Sequence, residues 1–236
     1  MRIPNRSDLS RVSLIMKSKK FRDLKVNNYS ELLENHFHFW SEIDHPSREG
    51  LNIALFNLQN LPANILETGT SAWGCDSSRL FDSYVRIFGG KFVSVDLRLE
   101  ASSWLKFQVS SSSSFFVGDS VNYILNDFPK LGWERIDLCY LDSFDIDWQN
   151  SIASAEHGYA EYIAVQKFLK SGSILVIDDT PNNLDKIPVD AQLHAKEFFS
   201  EFGVFPGKGS FVHKELLKSG DAEILHHSWN IVYRFH

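Results

Sequence analysis

Asp178 and Asp179 stand side by side at the end of the apolar run SGSILVIDDTPNN, residues 171–183. Two adjacent carboxylates at the end of a buried strand oppose each other's ionisation unless something receives them. Successive strand residues point to opposite faces, so the two converge only if the chain leaves the strand between them, a break that Pro181 favours. They are not alone. Four further apolar runs end on acids: Glu67 in ANILETG, Asp96 in KFVSVDL, Asp119 in SFFVGD and Asp142 in IDLCYLD. A row of carboxylates repels the phosphates of a nucleotide and suits a ligand that offers hydroxyls, amines and positive charge.

The elements that carry these acids are legible from periodicity. Runs at 63–69, 91–97, 114–119, 136–142 and 173–179 are rich in Ile, Val, Leu and Phe and too short for helices, which marks buried strands. Amphipathic stretches separate them. In 154–170, Tyr159, Tyr162, Val165 and Leu169 recur every three or four residues and the following Ser-Gly predicts the helix end. SVNYILNDF predicts a short helix with Ser120 as its N-cap. Strands alternating with helices imply parallel pairing through right-handed crossovers, hence a doubly wound α/β sheet. The runs 222–228 and 230–236 are joined by a turn too short for a helix and must pair antiparallel. The expected architecture is therefore a Rossmann-like sheet of seven strands, mostly parallel with an antiparallel last strand and helices on both faces. The serine run QVSSSSSFF (108–116) reads as a solvated connection into the third strand.

In such sheets ligands bind where the carboxyl ends of the strands meet a reversal of strand order. S-adenosylmethionine fits an acidic edge, since it carries an ammonium, a sulfonium, two ribose hydroxyls and an adenine amine, and no phosphate. The first turn, ETGTSAWG (67–74), allows a close backbone approach at Gly69 before the next helix. The GxGxxG and GxxxxGK[ST] loops of dinucleotide and nucleoside triphosphate sites are absent from the sequence.

From about residue 50 onward the chain resembles the class I S-adenosylmethionine-dependent methyltransferases. The resemblance implies that Glu67, Gly69, Thr70, Ser71 and Gly74 hold the methionine part, that Asp96 takes the ribose, that Asp119 and Ser120 meet the adenine, and that Asp142 also borders the cofactor. The commonest family pattern is ExGxGxG. This sequence reads ExGxSxWG, with Ser71 and Trp73 at two usual glycine positions. LDSFD after the fourth strand and IDD after the fifth are similar to the divalent-metal-dependent O-methyltransferases, which implies Mg2+ held by Asp142, Asp178 and Asp179. Oxygen-only ligation suits that ion better than zinc, and it would lower the pKa of an acceptor hydroxyl. The lysine that related enzymes carry three residues after the fourth-strand aspartate is here Asp145, so the candidate catalytic residues are Asp145, His157 and Asp142. His157 either accepts the proton or only packs its helix, and Asp142 could serve as base and ligand together.

Composition bounds the alternatives. The 236 residues include 43% hydrophobic side chains, with 19 Phe and 6 Trp, enough for one well-cored domain plus an appendage. Residues 1–49 are expected to form a helical cap over the cleft and 50–236 the cofactor-binding domain. A net charge of -6 disfavours a nucleic-acid partner, and the cluster of Lys17, Lys19, Lys20, Arg22 and Lys25 reads as a solvated face. Two isolated cysteines, and the lack of any run of about 18 apolar residues, predict a soluble cytoplasmic protein with no membrane contact. The acceptor is expected to be a small molecule such as a phenol, sugar or natural-product intermediate; aromatics in HFHFW, Trp73 and Trp148 could line its pocket, and the resemblance allows a homodimer. Two other readings stay open. DID at 145–147 matches the DxD of metal-dependent glycosyltransferases, and the altered glycine turn would also suit a non-catalytic S-adenosylmethionine-binding protein.

Overall fold

The computed structural model describes residues 25–41, 43–71, 74–99, 105 and 108–236. Trp73, residues 1–24 and, with them, Lys17, Lys19, Lys20 and Arg22 lie outside the described residues. Helices α1 (Tyr29–Phe39) and α2 (Arg48–Asn57) lead into β1 (Ala63–Thr68), α3 (Ser77–Phe88), β2 (Gly90–Asp96), β3 (Ser113–Val117), α4 (Ser120–Asn126), β4 (Ile136–Leu141), α5 (Ile152–Val165), β5 (Leu169–Ile177), α6 (Gln192–Phe202), α7 (Ser210–Ser219), β6 (Ala222–His227) and β7 (Ile231–Phe235). The seven strands form one sheet in the order β3-β2-β1-β4-β5-β7-β6. β1 to β5 pair in parallel, and β7 is inserted antiparallel between β5 and β6. The order reverses between β1 and β4, so the crevice of such a fold opens beyond the ends of those two strands.

Strand alternation divides the core into two layers. Ile65, Phe92, Leu138, Tyr140, Ile174 and Val176 face α1, α2 and α3. Leu66, Val93, Val95, Cys139, Leu141, Leu175 and Ile177 face the opposite way, toward α4, α5 and α7. Both cysteines are buried and free. The boundary expected at residues 49 and 50 falls inside α2. Leu32, Leu33 and Phe37 of α1 are buried in the same layer as the sheet. The described part of the N-terminal segment is thus a working half of the core, because its apolar stripe has no other surface to cover.

Three local expectations differ. The helix predicted to run to 170 ends at Val165, and Leu169 already begins β5. Ser171 and Gly172 lie inside that strand, where Gly172 adopts φ +81° and the pairing with β4 is irregular, so the glycine marks a bulge rather than a helix stop. The N-cap of α4 is Asp119, whose carboxylate accepts the Asn122 N–H at 2.7 Å, and Ser120 is the first helical residue. The serine run is solvated only in part: Ser111 and Ser114 are exposed, but Ser110 and Ser113 dock on buried Asp82 of α3, whose Oδ1 accepts Ser110 N–H at 2.8 Å, Ser110 Oγ at 2.8 Å and Ser113 Oγ at 2.6 Å.

Three donors on one charged oxygen make Asp82 the anchor of the approach to β3. Asp82→Ala should lower the unfolding free energy by about 2–3 kcal/mol, read from the urea midpoint at unchanged slope.

Candidate functional site

A cavity of about 220 Å3 opens at the carboxyl edge of the sheet, lined by Gly69, Asp96, Arg98, Asp119, Ser120, Asp142, Ser143, Phe144, Asp145 and His157, among others. It sits at the reversal of strand order. A larger depression of about 820 Å3 lies among residues of α1 and α2 with Lys186, Ser228 and Trp229, and contains none of the strand-end acids. The smaller cavity is therefore where the acidic chemistry lies, and the N-terminal helices border the larger one.

The residues expected to hold a cofactor separate into two groups. Gly69, Asp96, Asp119, Ser120 and Asp142 line the cavity. Glu67 and Thr70 are fully buried behind it. Glu67 accepts from Ser77 Oγ at 2.5 Å, from Ser94 Oγ at 2.5 Å and from Ser78 Oγ, so its carboxylate ties β1 to the start of α3 and to β2. Burial pushes it up to about 7 against the pull of the three serines. It positions the turn and does not face a ligand. Gly69, at φ +80°, is demanded by packing, because a Cβ there would lie 2.4 Å from the Asp142 carbonyl oxygen. Ser71 holds φ +56°, a conformation that favours glycine, which accounts for the glycine usual at its position. Its N–H donates to Ser78 Oγ at 2.7 Å. Gly74 packs against the His45 ring and its carbonyl accepts from Ser41 Oγ at 2.7 Å, away from the cavity.

Asp96 ends β2 with a carboxylate that accepts the Thr70 N–H at 2.9 Å and the Arg98 N–H at 2.6 Å. The Arg98 guanidinium closes over it at 2.6 Å and also donates to the Thr70 carbonyl at 3.0 Å. Arg98 is 63% exposed while Asp96 beneath it is 6% exposed, so solvent screens the guanidinium side of the pair. Across the cavity His157, on α5, stacks against Phe144 at 5.1 Å. Its Nε2 contacts Ser143 Oγ at 2.9 Å, Ser120 Oγ at 3.2 Å and Glu161 Oε1 at 3.5 Å. Glu161 raises the His157 pKa above its ordinary value. That nitrogen is shared among three partners at the cavity wall. Asp145 is exposed on the loop after β4. Asp147 turns away to accept the Gln149 N–H at 3.0 Å and does not line the cavity, so the DxD pair does not converge there.

The acidic pair is split. The chain does leave the strand after Ile177, and Asp179 takes φ +42°, yet the two side chains still go to opposite faces. Asp178 accepts from Ser47 Oγ at 2.9 and 3.0 Å and from Tyr140 Oη at 2.5 Å. Asp179 accepts from Lys208 Nζ at 2.9 Å, and the same ammonium reaches Asp142 Oδ1 at 2.6 Å and the Asp142 carbonyl at 3.2 Å. The expected Mg2+ ligands Asp142, Asp178 and Asp179 therefore do not fit the ion as arranged. Asp178 is committed elsewhere, and a lysine stands between the other two. Among the described residues, no three His, Cys, Asp or Glu side chains converge as a metal-ligand set. Burial raises both Asp142 and Asp179 while Lys208 pulls them down; burial works against the charge of Lys208, and the two carboxylates override it and raise its pKa.

Arg98, Ser143, Glu161 and Lys208 escaped the sequence reading. Only Lys208 left a signal: it stands between two glycines in FPGKGS.

No family model matches the sequence, and no curated protein matches it. Solved structures do. MycE, the methyltransferase of the mycinamycin biosynthetic pathway solved with Mg, SAH and mycinamycin VI, aligns with a TM-score of 0.60 and 14% identity over 89% of this chain. The alignment spans 55% of MycE, about half its length. CalS11, described as a calicheamicin methyltransferase and in its apo form as a TDP-rhamnose 3'-O-methyltransferase, aligns with TM-scores of 0.53 and 0.55. Identity is 13% and 15% over 99% of this chain and 94% and 96% of that one. At such identities the likeness is one of fold, and the fold is the Rossmann-like one of the class I methyltransferases. Among the described residues no helix is long and apolar enough to cross a membrane.

Two outcomes test this geometry. Gly69→Ala should cost roughly 2–4 kcal/mol in urea unfolding, because the new Cβ meets backbone and the positive φ disfavours it. For Glu67 the folded state binds its proton more tightly than the unfolded one, so stability falls as pH rises from the ordinary glutamate range to about 7. Denaturation midpoints at a series of pH values should show that fall in the parent protein, and Glu67→Gln should lessen it.

Proposed function

We propose that this protein transfers the methyl group of S-adenosylmethionine to a hydroxyl oxygen of a small-molecule acceptor. The observation that carries the reading is the cavity at the strand-order reversal, walled by Asp96, Asp119 and Asp142 with Arg98 as an exposed cover. Carboxylates there accept hydrogen bonds from hydroxyls and amines and stabilise a sulfonium, and they repel a diphosphate. The methyltransferase fold of MycE and CalS11 supports the same reading.

In this scheme Asp96 accepts from the ribose hydroxyls once Arg98 has swung away. Asp119 and Ser120, at the start of α4, together with Ser143 and the Phe144 and His157 rings, form the polar and aromatic wall that receives the adenine. The bound cofactor supplies an electrophilic methyl on a cationic sulfur. Asp142, held at the end of β4 by Lys208, receives the proton of the acceptor hydroxyl, whose oxygen forms the new bond to carbon as the carbon–sulfur bond breaks. A buried carboxylate with a raised pKa is better matched to that proton than an exposed one. Asp179 accepts a hydrogen bond that orients the acceptor. No step is routed through a divalent ion.

Calorimetric titration should show S-adenosylmethionine binding with neither NADH nor UDP-glucose doing so. Binding of UDP-glucose alone would instead point to glycosyl transfer. Asp96→Ala should weaken the cofactor roughly 10- to 100-fold. Asp179→Asn, which keeps the left-handed turn, should leave cofactor affinity within about twofold and slow methyl transfer on the order of 100-fold.

A further inference from the structure

Lys208 lies between α6 and α7 and is only 4% exposed, an expensive place for an ammonium group. Its three donor positions are matched by three acceptors: Asp142 Oδ1, the Asp142 carbonyl and Asp179 Oδ2. Three glycines clear its path. A Cβ on Gly207 would lie 2.5 Å from the Asp179 carbonyl oxygen, one on Gly209 2.7 Å from Thr180 Oγ1, and one on Gly158 2.2 Å from the Lys208 carbonyl oxygen. The backbone is fastened as well, with Lys208 N–H donating to the Asp179 carbonyl at 3.1 Å and Gly209 N–H to Thr180 Oγ1 at 2.9 Å. The segment is threaded between α5 and the turn after β5, which fixes the backbone from which the ammonium reaches inward.

We propose that Lys208 is a tethered cation standing where a divalent ion would have to sit, so that the site works without a metal. A single positive charge that belongs to the chain sets Asp142 and Asp179 apart by a fixed spacing and opposes the effect of burial on both. It does not accept oxygen ligands from a substrate, since all its donors are spent within the protein. Lys208 is thus a positioning residue for the two carboxylates. An incoming ion would need to displace it from three hydrogen bonds and would meet only two free carboxylates, Asp178 being committed to Ser47 and Tyr140.

The test reads metal directly and needs neither cofactor nor acceptor, so it stands apart from the methyl-transfer reading. Mn2+ is titrated into the parent protein, Lys208→Ala, and Lys208→Ala combined with Asp179→Asn, and bound ion is followed by electron paramagnetic resonance. The parent should bind no Mn2+ at this site. Lys208→Ala should bind one ion, at least about tenfold more tightly than the weakest binding the titration can detect in the parent, since loss of a unit charge beside two carboxylates is worth more than the 1.4 kcal/mol that tenfold represents. The added Asp179→Asn should abolish that gain. A parent protein that binds one Mn2+, lost in Asp179→Asn, overturns the proposal, as does a folded Lys208→Ala that binds none. Should Lys208→Ala not fold, the parent against Asp179→Asn decides the matter, and Lys208→Arg provides the variant that keeps the charge.

Discussion

Repulsion among like charges at one edge of the sheet is the constraint on which the rest of this structure depends. The strands of this parallel sheet deliver their acids to the same side, and each acid needs its own answer. Glu67 is wrapped by three serine hydroxyls. Asp96 is met by Arg98 and a backbone amide, Asp119 caps α4, Asp142 and Asp179 share Lys208, and Asp178 is held by Ser47 and Tyr140. The outcome is an edge on which Glu67 and Asp178 serve as internal fasteners while Asp96, Asp119 and Asp142 remain to line a cavity.

That division follows from backbone geometry. Glu67 precedes the glycine turn and points into the layer that also holds Ile65, where only hydroxyls from α3 and β2 can reach it. Asp178 continues the alternation of β5 and falls on the side of Tyr140. Asp179, turned by its left-handed backbone, falls on the side of α5 and α7, where the glycine-flanked lysine arrives. Gly69 lets the turn after β1 lie directly on the backbone at Asp142, which brings the first and fourth strand ends into one wall. The adjacent Asp178 and Asp179 thus acquire different partners according to the face each inherits.

Much of this was legible in the sequence, and the limits are physical. Apolar runs of strand length ending on acids mark the five parallel strands, because most positions of a strand packed between two layers of helices are apolar. The hairpin of β6 and β7 is legible from the short turn between them. What cannot be read locally is which carboxylate meets which partner. Lys208 is 66 residues from Asp142, and Ser47 is 131 from Asp178. Two adjacent aspartates therefore look like a pair of ligands, although the fold sends them to different partners. Ser143 and Glu161 carry no motif, and their roles depend on how α5 lies over the end of β4. The serine run looks solvated until α3 presents Asp82 to it.

The contact between Ser47 and Asp178 has a further side. The Ser47 carbonyl accepts from the Asn230 side chain at 3.3 Å across 183 residues, and a Cβ on Gly50 would collide with that side chain. A hydroxyl in the approach to α2, a carboxylate after β5 and an amide before β7 thus form one closed latch joining three distant parts of the chain. Contacts of such sequence separation are entropically late to form. A ribosome emitting this protein can let Ser47 and Tyr140 meet Asp178 early, but the Asn230 arm of the latch closes only after residue 230 has been made.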